Sequence, residues 1–219
     1  MLLSNAGNQV LFGRDEKYPA QQRFKAKKHN LANIFNTFEP LQVQLPREPA
    51  PPYFTTAQQI FLGYLMLDAW IGNTDRHHEN WALIRRLENG DVTNRLAPTH
   101  DHAASLGCML QDDERHERLT TKDRGRTVEA YAQSAKARSA IYANEADARP
   151  LPLLDAFRVA STYNPDAAKV WLEQLESVTI GLVAGVLARL PAERISDVGK
   201  QFAARMLATN RQRLLDLRQ

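Results

Sequence analysis

The segment from residue 72 to residue 102 constrains the fold more than any other part of the chain. Two short runs predicted as strands, 81–87 and 93–97, are joined by Glu88-Asn89-Gly90-Asp91, a sequence typical of a tight hairpin turn. A polar loop, 72–80, precedes the first run, and a second polar loop, 98–102, follows the second run. Because a hairpin returns the chain to the point where it started, the sequence predicts that these two loops meet.

The remainder of the chain has mostly helical patterning. Apolar residues recur at helical spacing over Leu31–Phe38, and a strongly apolar helix is predicted from Ala57, capped by Thr55 or Thr56, to the Gly72-Asn73 pair. Asp68 interrupts the apolar pattern of that helix. From Thr127 the pattern is helical almost to the end, with prolines as breaks. The sequence therefore predicts a mainly α fold with one short β-hairpin.

Composition excludes several classes of protein. The chain has 219 residues, 43% of them hydrophobic and 24% charged, which is typical of one large globular domain and excludes a disordered or collagenous chain. The single cysteine, Cys108, excludes a disulfide framework and a CxxC site. The longest apolar stretch, 180–190, is short of the ~20 residues that a membrane span needs, and no secretory leader is recognisable. We therefore expect a cytoplasmic protein with no membrane association.

The two polar loops concentrate the candidate functional residues. Asp75 and Asn80 lie in the first loop and Asp101 in the second, so the hairpin would bring two carboxylates and an amide together. Oxygen ligands of this kind suit Mg²⁺, which takes few protein ligands and bridges to the phosphates of a nucleotide. The spacing Asp-x4-Asn, followed by a hairpin and a further Asp, is that of protein-kinase catalytic loops.

At these residues the chain resembles the HipA-like kinases. Their pattern of a helix, (I/V)-G-N-x-D-x-H-x-x-N, a hairpin and L-x-P-x-x-D is similar to Ile71-Gly72-Asn73-Thr74-Asp75 through Asn80 and to Leu96 through Asp101. The resemblance is strongest over 57–106. It implies the C-lobe of a protein-kinase-like fold and an ATP-dependent serine/threonine kinase, in several family members the toxin of a toxin–antitoxin pair.

The resemblance also implies roles for individual residues. Asp75 would be the catalytic base, and His77 would support its loop through hydrogen bonds. Asn80 and Asp101 would bind Mg²⁺ and, through it, ATP. The implied partners are a protein substrate with a serine or threonine hydroxyl and, for a toxin, an antitoxin. The net charge of +3 gives no indication of direct nucleic-acid binding.

The N-terminal part departs from the kinase pattern. No Gly-rich loop and no clear strand lysine precede residue 57, so the N-lobe is reduced, missing or supplied by a separate chain. We divide the chain into an N-terminal segment with a Pro-rich linker, 1–52, and a HipA-like C-lobe, 53–219. A catalytically degenerate module that binds a partner or nucleotide stays open as an alternative. An HD-type metal phosphohydrolase, suggested by the His100-Asp101-His102 run, is a further one.

Four further expectations concern the environment of particular residues. The basic cluster from Arg23 to Lys28 is expected to be a solvated surface, with contact to a nucleotide phosphate or an acidic partner as the alternative. His78 is expected to be exposed, and Cys108 to be a small buried hydrophobe. The apolar residues at 171, 172, 175, 178, 182, 183, 186, 187 and 190 are expected to form a buried helix face.

Overall fold

A three-stranded antiparallel sheet forms one part of the fold, and helices form the rest. The computed structural model describes residues 2–47, 51, 53–88 and 90–218. The strands are β1 (Leu2–Ala6), β2 (Ala82–Glu88) and β3 (Asp91–Leu96), paired in the order β1-β2-β3. The predicted hairpin is therefore β2–β3, with Leu83 opposite Leu96 and Glu88 opposite Asp91. Asn89 of the predicted turn lies outside the described residues.

The first strand was not predicted from the sequence. β1 pairs antiparallel with β2, so that Ala6 lies opposite Ala82 and Leu2 opposite Arg86. It leads directly into the short helix α1 (Gly7–Phe12). The Gly7 N–H donates to the Trp81 carbonyl at 2.8 Å, and the Asn8 N–H donates to the His78 carbonyl at 2.9 Å. The start of the chain is thus bonded to the second half of the first polar loop and to the strand after it.

Helices α2 (Leu31–Phe38) and α3 (Ala57–Ile71) form the centre of the core. α3 begins at a capping box, in which Thr56 and Gln59 bond each other's backbone, as the sequence predicted for a threonine cap. Its burial extends to nearly every face, and Ile60, Phe61 and Leu65 are each at most 4% exposed. The rings of Phe35, Phe38 and Phe61 from the two helices contact one another, and those of Phe38 and Phe61 contact Trp81, the residue directly before β2. A helix buried on most sides positions whatever follows its C-terminus rigidly.

The C-terminal part is helical but less continuous than predicted. Its helices are α4 (Asp112–Thr120), α5 (Val128–Ala132), α6 (Leu153–Ser161), α7 (Pro165–Ser177), α8 (Ile180–Ala188) and α9 (Asp197–Leu215), followed by a 3₁₀ turn at Asp216–Arg218. Residues 133–152 are not helical, contrary to the expectation of helix from Thr127 onward. α9 packs against α3, with Leu214 fully buried and Asn210 bonded to the Trp70 carbonyl.

The expectation of a buried apolar face was wrong for helix α8. Leu172 and Leu175 of α7 and Leu187 of α8 are buried as expected. Leu182 and Val186 of α8, however, are each 60% exposed. Periodicity identifies an apolar face but not whether another element covers it. In the described part of the chain no single helix is both long and apolar enough to cross a membrane. Taken together, α7 and α8 meet that length and composition test, but they are bent by 64°.

Residues 2–47 share the core with the rest of the chain. Val10, Leu31 and Phe35 belong to the same buried cluster as residues of α3, α6 and α7. Gln44 and Arg95 form a parallel bridge that ties this segment to β3. Of the predicted Pro-rich linker, residues 48–50 and 52 lie outside the described residues. The division into 1–52 and 53–219 stays a prediction, and the helix-rich architecture with a small antiparallel sheet is what the structure shows.

Candidate functional site

The first polar loop begins where α3 ends at a left-handed glycine. Gly72 has φ +70°, a conformation that glycine adopts without the steric cost of a Cβ. Its N–H and that of Asn73 both donate to the Asp68 carbonyl. The loop therefore leaves the helix in a direction fixed by backbone hydrogen bonds.

A buried ion pair anchors the loop to α3. The Arg76 side chain is 0% exposed, and its Nε and Nη2 donate to the two carboxylate oxygens of Asp68 at 2.7 and 2.8 Å. Asn73 Nδ2 donates to the same carboxylate at 2.8 Å. This two-pronged pairing explains why an aspartate interrupts the apolar pattern of α3. The sequence marked Asp68 as an exception, but its partner could not be identified from spacing.

Arg76 also joins the first loop to the second. Its Nη1 donates to the carbonyls of Asn80 and, at 3.3 Å, His100, and its Nη2 donates to Thr99 Oγ1 at 2.8 Å. Backbone hydrogen bonds from Thr74 to Ala104 and from Leu106 to Ile71 add to this contact. The two polar loops lie against each other, and one buried guanidinium is the main connection between them.

Asp75 and Asn80 are bonded to each other within the first loop. Asn80 is 4% exposed, and its Nδ2 donates to the Asp75 carbonyl at 2.6 Å. A backbone carbonyl oxygen can only accept a hydrogen bond, so the Asn80 side chain must turn its Nδ2 toward it. The side-chain oxygen of Asn80, Oδ1, therefore points elsewhere. The Asp75 carboxylate is 27% exposed and faces Arg23, whose Nη2 lies 3.4 Å from Oδ2. Both residues thus keep oxygen atoms for a further ligand.

His77 is buried beneath the loop as a neutral ring. Desolvation by burial lowers its pKa, and the Arg23 charge acts in the same direction, while the carboxylates of Asp75, Glu79 and Asp101 oppose the shift. The backbone N–H of Glu79 donates to His77 Nδ1 at 3.1 Å. Carboxylates from both polar loops therefore lie close enough to the His77 ring to raise its pKa.

Asp101 is exposed and has a left-handed backbone. Its φ is +55°, a region in which aspartate is enriched among non-glycine residues and which is often found at functional sites. On one side of it, His100 Nδ1 is 3.2 Å from the Pro98 carbonyl. On the other side, His102 Nε2 is 3.2 Å from Thr99 Oγ1. These contacts fix the residues around Asp101 and leave its carboxylate at the surface.

The oxygens of Asn80, Asp75 and Asp101 are chemically suited to Mg²⁺ rather than to a soft metal. Two carboxylates and an amide oxygen on adjoining loops can supply one or two direct ligands and leave the other positions to water and phosphate. Within the described ranges, no group of three or more His, Cys, Asp or Glu side chains could hold a metal ion. The HD-type phosphohydrolase alternative, which needs such a group, finds no support.

His78 was expected to be exposed, and this expectation was wrong. It is 0% exposed, Tyr18 Oη lies 2.7 Å from its Nδ1, and its ring contacts His29 at a centroid distance of 5.8 Å. Burial lowers its pKa and, more strongly, that of His29, which falls to about 3. Both rings of the adjacent His77-His78 pair therefore point inward. Tyr18 and His29 cover His78, and Arg23 and Phe24 contact His77.

Arg23 is the functional candidate that sequence reasoning missed. The cluster from Arg23 to Lys28 was expected to be a solvated surface, and Arg23, Lys25 and Lys27 are indeed exposed. Arg23 nevertheless also contacts the loop, because its Nε is 2.9 Å from His77 Nε2 and 3.9 Å from Glu79 Oε2. Its 3.4 Å contact with Asp75 joins residues separated by 52 positions, which no local pattern indicates. The only sequence feature pointing to it was the cluster of positive charges, for which a phosphate contact was the alternative.

A cavity of about 160 Å³ borders the loop on the side of α5 and α9. Its lining includes Thr74, Gly107, Cys108, Tyr131 and Met206. Cys108 is exposed there, contrary to the expectation of a buried hydrophobe. The left-handed Leu106-Gly107 pair, with φ of +53° and +66°, turns the chain so that the thiol faces outward at this point.

The fold defines this chain as a protein with a kinase-like architecture. Among solved structures, that of CtkA, a proinflammatory kinase from Helicobacter pylori, superposes with a TM-score of 0.67 over 99% of this chain at 16% sequence identity. The alignment covers 66% of the CtkA chain, so this chain spans just under two thirds of its length. No family model matches the sequence, and no curated protein matches it either. At this identity the likeness concerns the fold alone.

Proposed function

We propose that the chain is a protein serine/threonine kinase that transfers the γ-phosphoryl group of ATP to a hydroxyl group. The observation that carries the proposal is the joining of the two polar loops by Arg76, which brings the Asp75–Asn80 segment against the segment that ends at Asp101. An Asp-x4-Asn loop beside a second aspartate is the arrangement that phosphoryl transfer uses. The kinase-like fold supports the same assignment.

Each residue has a defined task in this proposal. Asp75 accepts a hydrogen bond from the attacking hydroxyl, orients it and takes up its proton. Two residues act as ligands for Mg²⁺. Asn80, whose side-chain nitrogen is held by the Asp75 carbonyl, offers its side-chain oxygen Oδ1, and Asp101 offers its exposed carboxylate. The bound Mg²⁺ would neutralise charge on the phosphate oxygens. His77 braces the loop through its hydrogen bond with the Glu79 N–H.

The proposal predicts different defects for two matched substitutions. Asp75→Asn should reduce phosphate transfer at least about 10³-fold while ATP affinity stays within about twofold, because Asp75 serves the hydroxyl and not the nucleotide. Asp101→Asn should also weaken Mg²⁺-dependent ATP binding, because a metal ligand is lost. The measurements are transfer of radiolabelled phosphate to an array of serine- and threonine-containing peptides, and calorimetry with Mg²⁺–ATP.

Asp91→Asn is the control for both variants. Asp91 lies exposed at the start of β3, and its substitution removes the same charge away from the loops. It should leave transfer and binding unchanged. Transfer that persists in Asp75→Asn at the wild-type rate would contradict the kinase proposal.

A catalytically degenerate module that binds a partner or nucleotide is the second candidate. Its supporting observation is that none of the three strands, LLSNA, ALIRRLE and DVTNRL, contains a lysine. The toxin role, the antitoxin partner and a separately supplied N-lobe chain rest on the resemblance to HipA-like kinases. Growth on overexpression tests the toxin role: a kinase toxin should lose its toxicity with Asp75→Asn, whereas a binding module should keep it.

A further inference from the structure

We infer that Arg23, from the N-terminal segment, supplies the positive charge that stabilises the transferring phosphoryl group. The inference rests on the proposed function and deepens it. In protein kinases a lysine on a strand contributes positive charge at the phosphates, and β1, β2 and β3 contain no lysine. The inference assigns this electrostatic role to an arginine outside the catalytic-loop motif. Four observations support it: the position of Arg23, its weak engagement, a hydrogen-bond conflict at His77 and the contrast with Arg76.

The position follows from the contact with Asp75. A hydroxyl oriented by Asp75 lies at hydrogen-bond distance from the carboxylate, and its oxygen must approach the phosphorus to about 3–3.5 Å before reaction. The phosphoryl group therefore comes within about 6–7 Å of the carboxylate, taking those two distances together. Arg23 Nη2 already lies 3.4 Å from Asp75 Oδ2. A small rotation of its long side chain brings the guanidinium to the phosphoryl oxygens.

Arg23 is engaged weakly enough to be recruited. Its side chain is 49% exposed, and its ion pairs with Asp75 and Glu79 are long, at 3.4 and 3.9 Å. It also makes a 2.9 Å hydrogen bond to His77 and lies over the exposed Phe24 ring. Half-exposed ion pairs of this length contribute little to stability. A phosphate dianion can accept two parallel N–H bonds from one guanidinium, which is a shorter and stronger arrangement. Phosphate should therefore compete successfully for this side chain.

The His77 ring cannot accept hydrogen bonds from both of the donors that point at it. Arg23 Nε–H points at Nε2 from 2.9 Å, and the Glu79 backbone N–H points at Nδ1 from 3.1 Å. A neutral imidazole has one acceptor nitrogen and a protonated imidazole has none, so one of these hydrogen bonds is always unmade. The backbone donor is fixed by the loop, whereas the arginine can move. Departure of Arg23 toward a phosphate removes the conflict.

Arg76 cannot perform this task. It is fully buried, both carboxylate oxygens of Asp68 neutralise its charge, and its remaining N–H groups bond Thr99 and loop carbonyls. Moving it would break the connection between the two loops. Of the two arginines that contact Asp68 or Asp75 in the described part of the chain, Arg23 is thus the one that can reach a ligand.

The transfer step balances without a proton from Arg23. The hydroxyl oxygen of the substrate forms a bond to the γ-phosphorus as the bond from that phosphorus to the bridging β–γ oxygen breaks. The electron pair of the broken bond leaves with ADP, and the hydroxyl proton passes to the Asp75 carboxylate. Arg23 keeps its positive charge throughout, since a guanidinium group is not deprotonated in proteins. Its N–H groups bond the equatorial oxygens, where charge accumulates.

The test compares Arg23→Ala and Arg23→Lys with Lys27→Ala. Lys27 lies exposed in the same segment, and its substitution removes the same charge. Calorimetry with Mg²⁺–ATP and Mg²⁺–ADP gives a readout that does not depend on catalysis. Since only ATP carries the γ-phosphate, Arg23→Ala should weaken ATP binding about tenfold and leave ADP binding within about twofold. Lys27→Ala should leave the ratio of the two affinities unchanged.

Turnover provides the second readout. Arg23→Ala should lower kcat about 10²–10³-fold, more than it raises the KM for ATP, because the contact strengthens in the transition state. Arg23→Lys should recover part of this loss, since it restores the charge but not the two-pronged geometry. A purely structural arginine would instead change ATP and ADP affinity together, and that result would overturn the inference.

The experiment distinguishes failure of the inference from failure of the proposed function. Wild-type protein that binds ATP more tightly than ADP through Arg23 but transfers no phosphate would overturn the kinase proposal and, with it, the catalytic role of Arg23. Wild-type transfer that is unaffected by Arg23→Ala would overturn the inference alone. Absence of any ATP binding would overturn both. Equal urea midpoints of wild type and variants establish that the fold is retained.

Discussion

At the scale of single residues, the pairing of Asp68 with Arg76 determines the site. Neither residue belongs to the set proposed for chemistry, yet their contact holds the Asp75 loop on α3 and against the Asp101 loop. Breaking a buried ion pair by removing one partner is costly, because the other charge is left without compensation. The geometry of the candidate active site is thus set by an ion pair that substrate does not reach.

Asp68→Asn should therefore destabilise the protein by about 3 kcal/mol. The amide can still accept one N–H bond, but Arg76 keeps a buried, uncompensated charge. Urea unfolding monitored by far-UV circular dichroism provides the measurement. Asp155→Asn, which breaks an exposed i,i+3 pair with Arg158, is the control and should cost less than about 1 kcal/mol. Equal midpoints for the two variants would contradict the anchoring role of Asp68.

The residue scale also shows what sequence could and could not predict. The pattern of the motif identified Asp75, His77, Asn80 and Asp101 as a group, because all of its elements lie within one short stretch. Arg23, Tyr18 and His29 reach the loop from the N-terminal part. Such long-range contacts arise from packing, and neither periodicity nor composition encodes them.

At the scale of elements, the junction between β1 and α1 determines how the N-terminal part meets the site. Gly7 packs so closely that a Cβ there would lie 2.2 Å from Trp81 Cε2 and 2.6 Å from the His78 carbonyl oxygen. The residue is glycine because no side chain fits between the chain start and the loop. This contact holds the start of α1 against the His78 carbonyl and Trp81.

Gly7→Ala should destabilise the protein by about 2–3 kcal/mol, since overpacking against a rigid carbonyl and a buried ring forces the backbone to shift. Gly13→Ala is a matched control at the other end of α1. Its Cβ would lie 3.4 Å from the Gln9 carbonyl oxygen, and its φ is −64°. There the substitution should be neutral or stabilising by about 0.5 kcal/mol. Thermal unfolding of both variants tests the prediction, and equal melting temperatures would refute it.

The elements differ in how well the sequence predicted them. α2 and α3 were predicted with their observed starts and ends, because their caps and apolar spacing are local properties. β1 was not, because its strand character depends on pairing with β2 far along the chain. The prediction that the apolar face of α8 is buried was wrong for a related reason, since an apolar stripe does not show whether another element covers it.

At the scale of the whole molecule, the imidazoles of His29, His77 and His78 form a buried group between the N-terminal part and the first polar loop. The ring centroid of His78 lies 5.8 Å from that of His29 and 6.2 Å from that of His77. Burial lowers the pKa of each ring, and that of His29 falls to about 3. The folded protein therefore keeps these rings neutral to a lower pH than the unfolded chain does, which protonates them below a pH of about 6.5.

Stability should therefore decrease as the pH falls below about 6.5. Lowered folded-state pKa values mean that the unfolded chain binds more protons in this range, so acid favours unfolding. His29 alone should cost about 2 kcal/mol between pH 7.5 and pH 5. The measurement is the urea unfolding free energy at several pH values across this range.

His29→Gln isolates this contribution. Glutamine can accept the Trp81 Nε1–H bond and donate to the Ala140 carbonyl as His29 does, but it cannot be protonated. The variant should lose about 2 kcal/mol of the pH dependence. His116→Gln, at an exposed position on α4, should retain all of it. A pH dependence that is identical in wild type and His29→Gln would rule out His29 as its source.

The exposure of Cys108 has a practical consequence. It is the one cysteine in the sequence, and its thiol faces solvent at the rim of the cavity that also includes Thr74, the neighbour of Asp75. A maleimide dye attached to this 219-residue chain is therefore confined to a single position beside the first polar loop. Fluorescence from that dye reports on a nucleotide or peptide entering the site without any engineered cysteine.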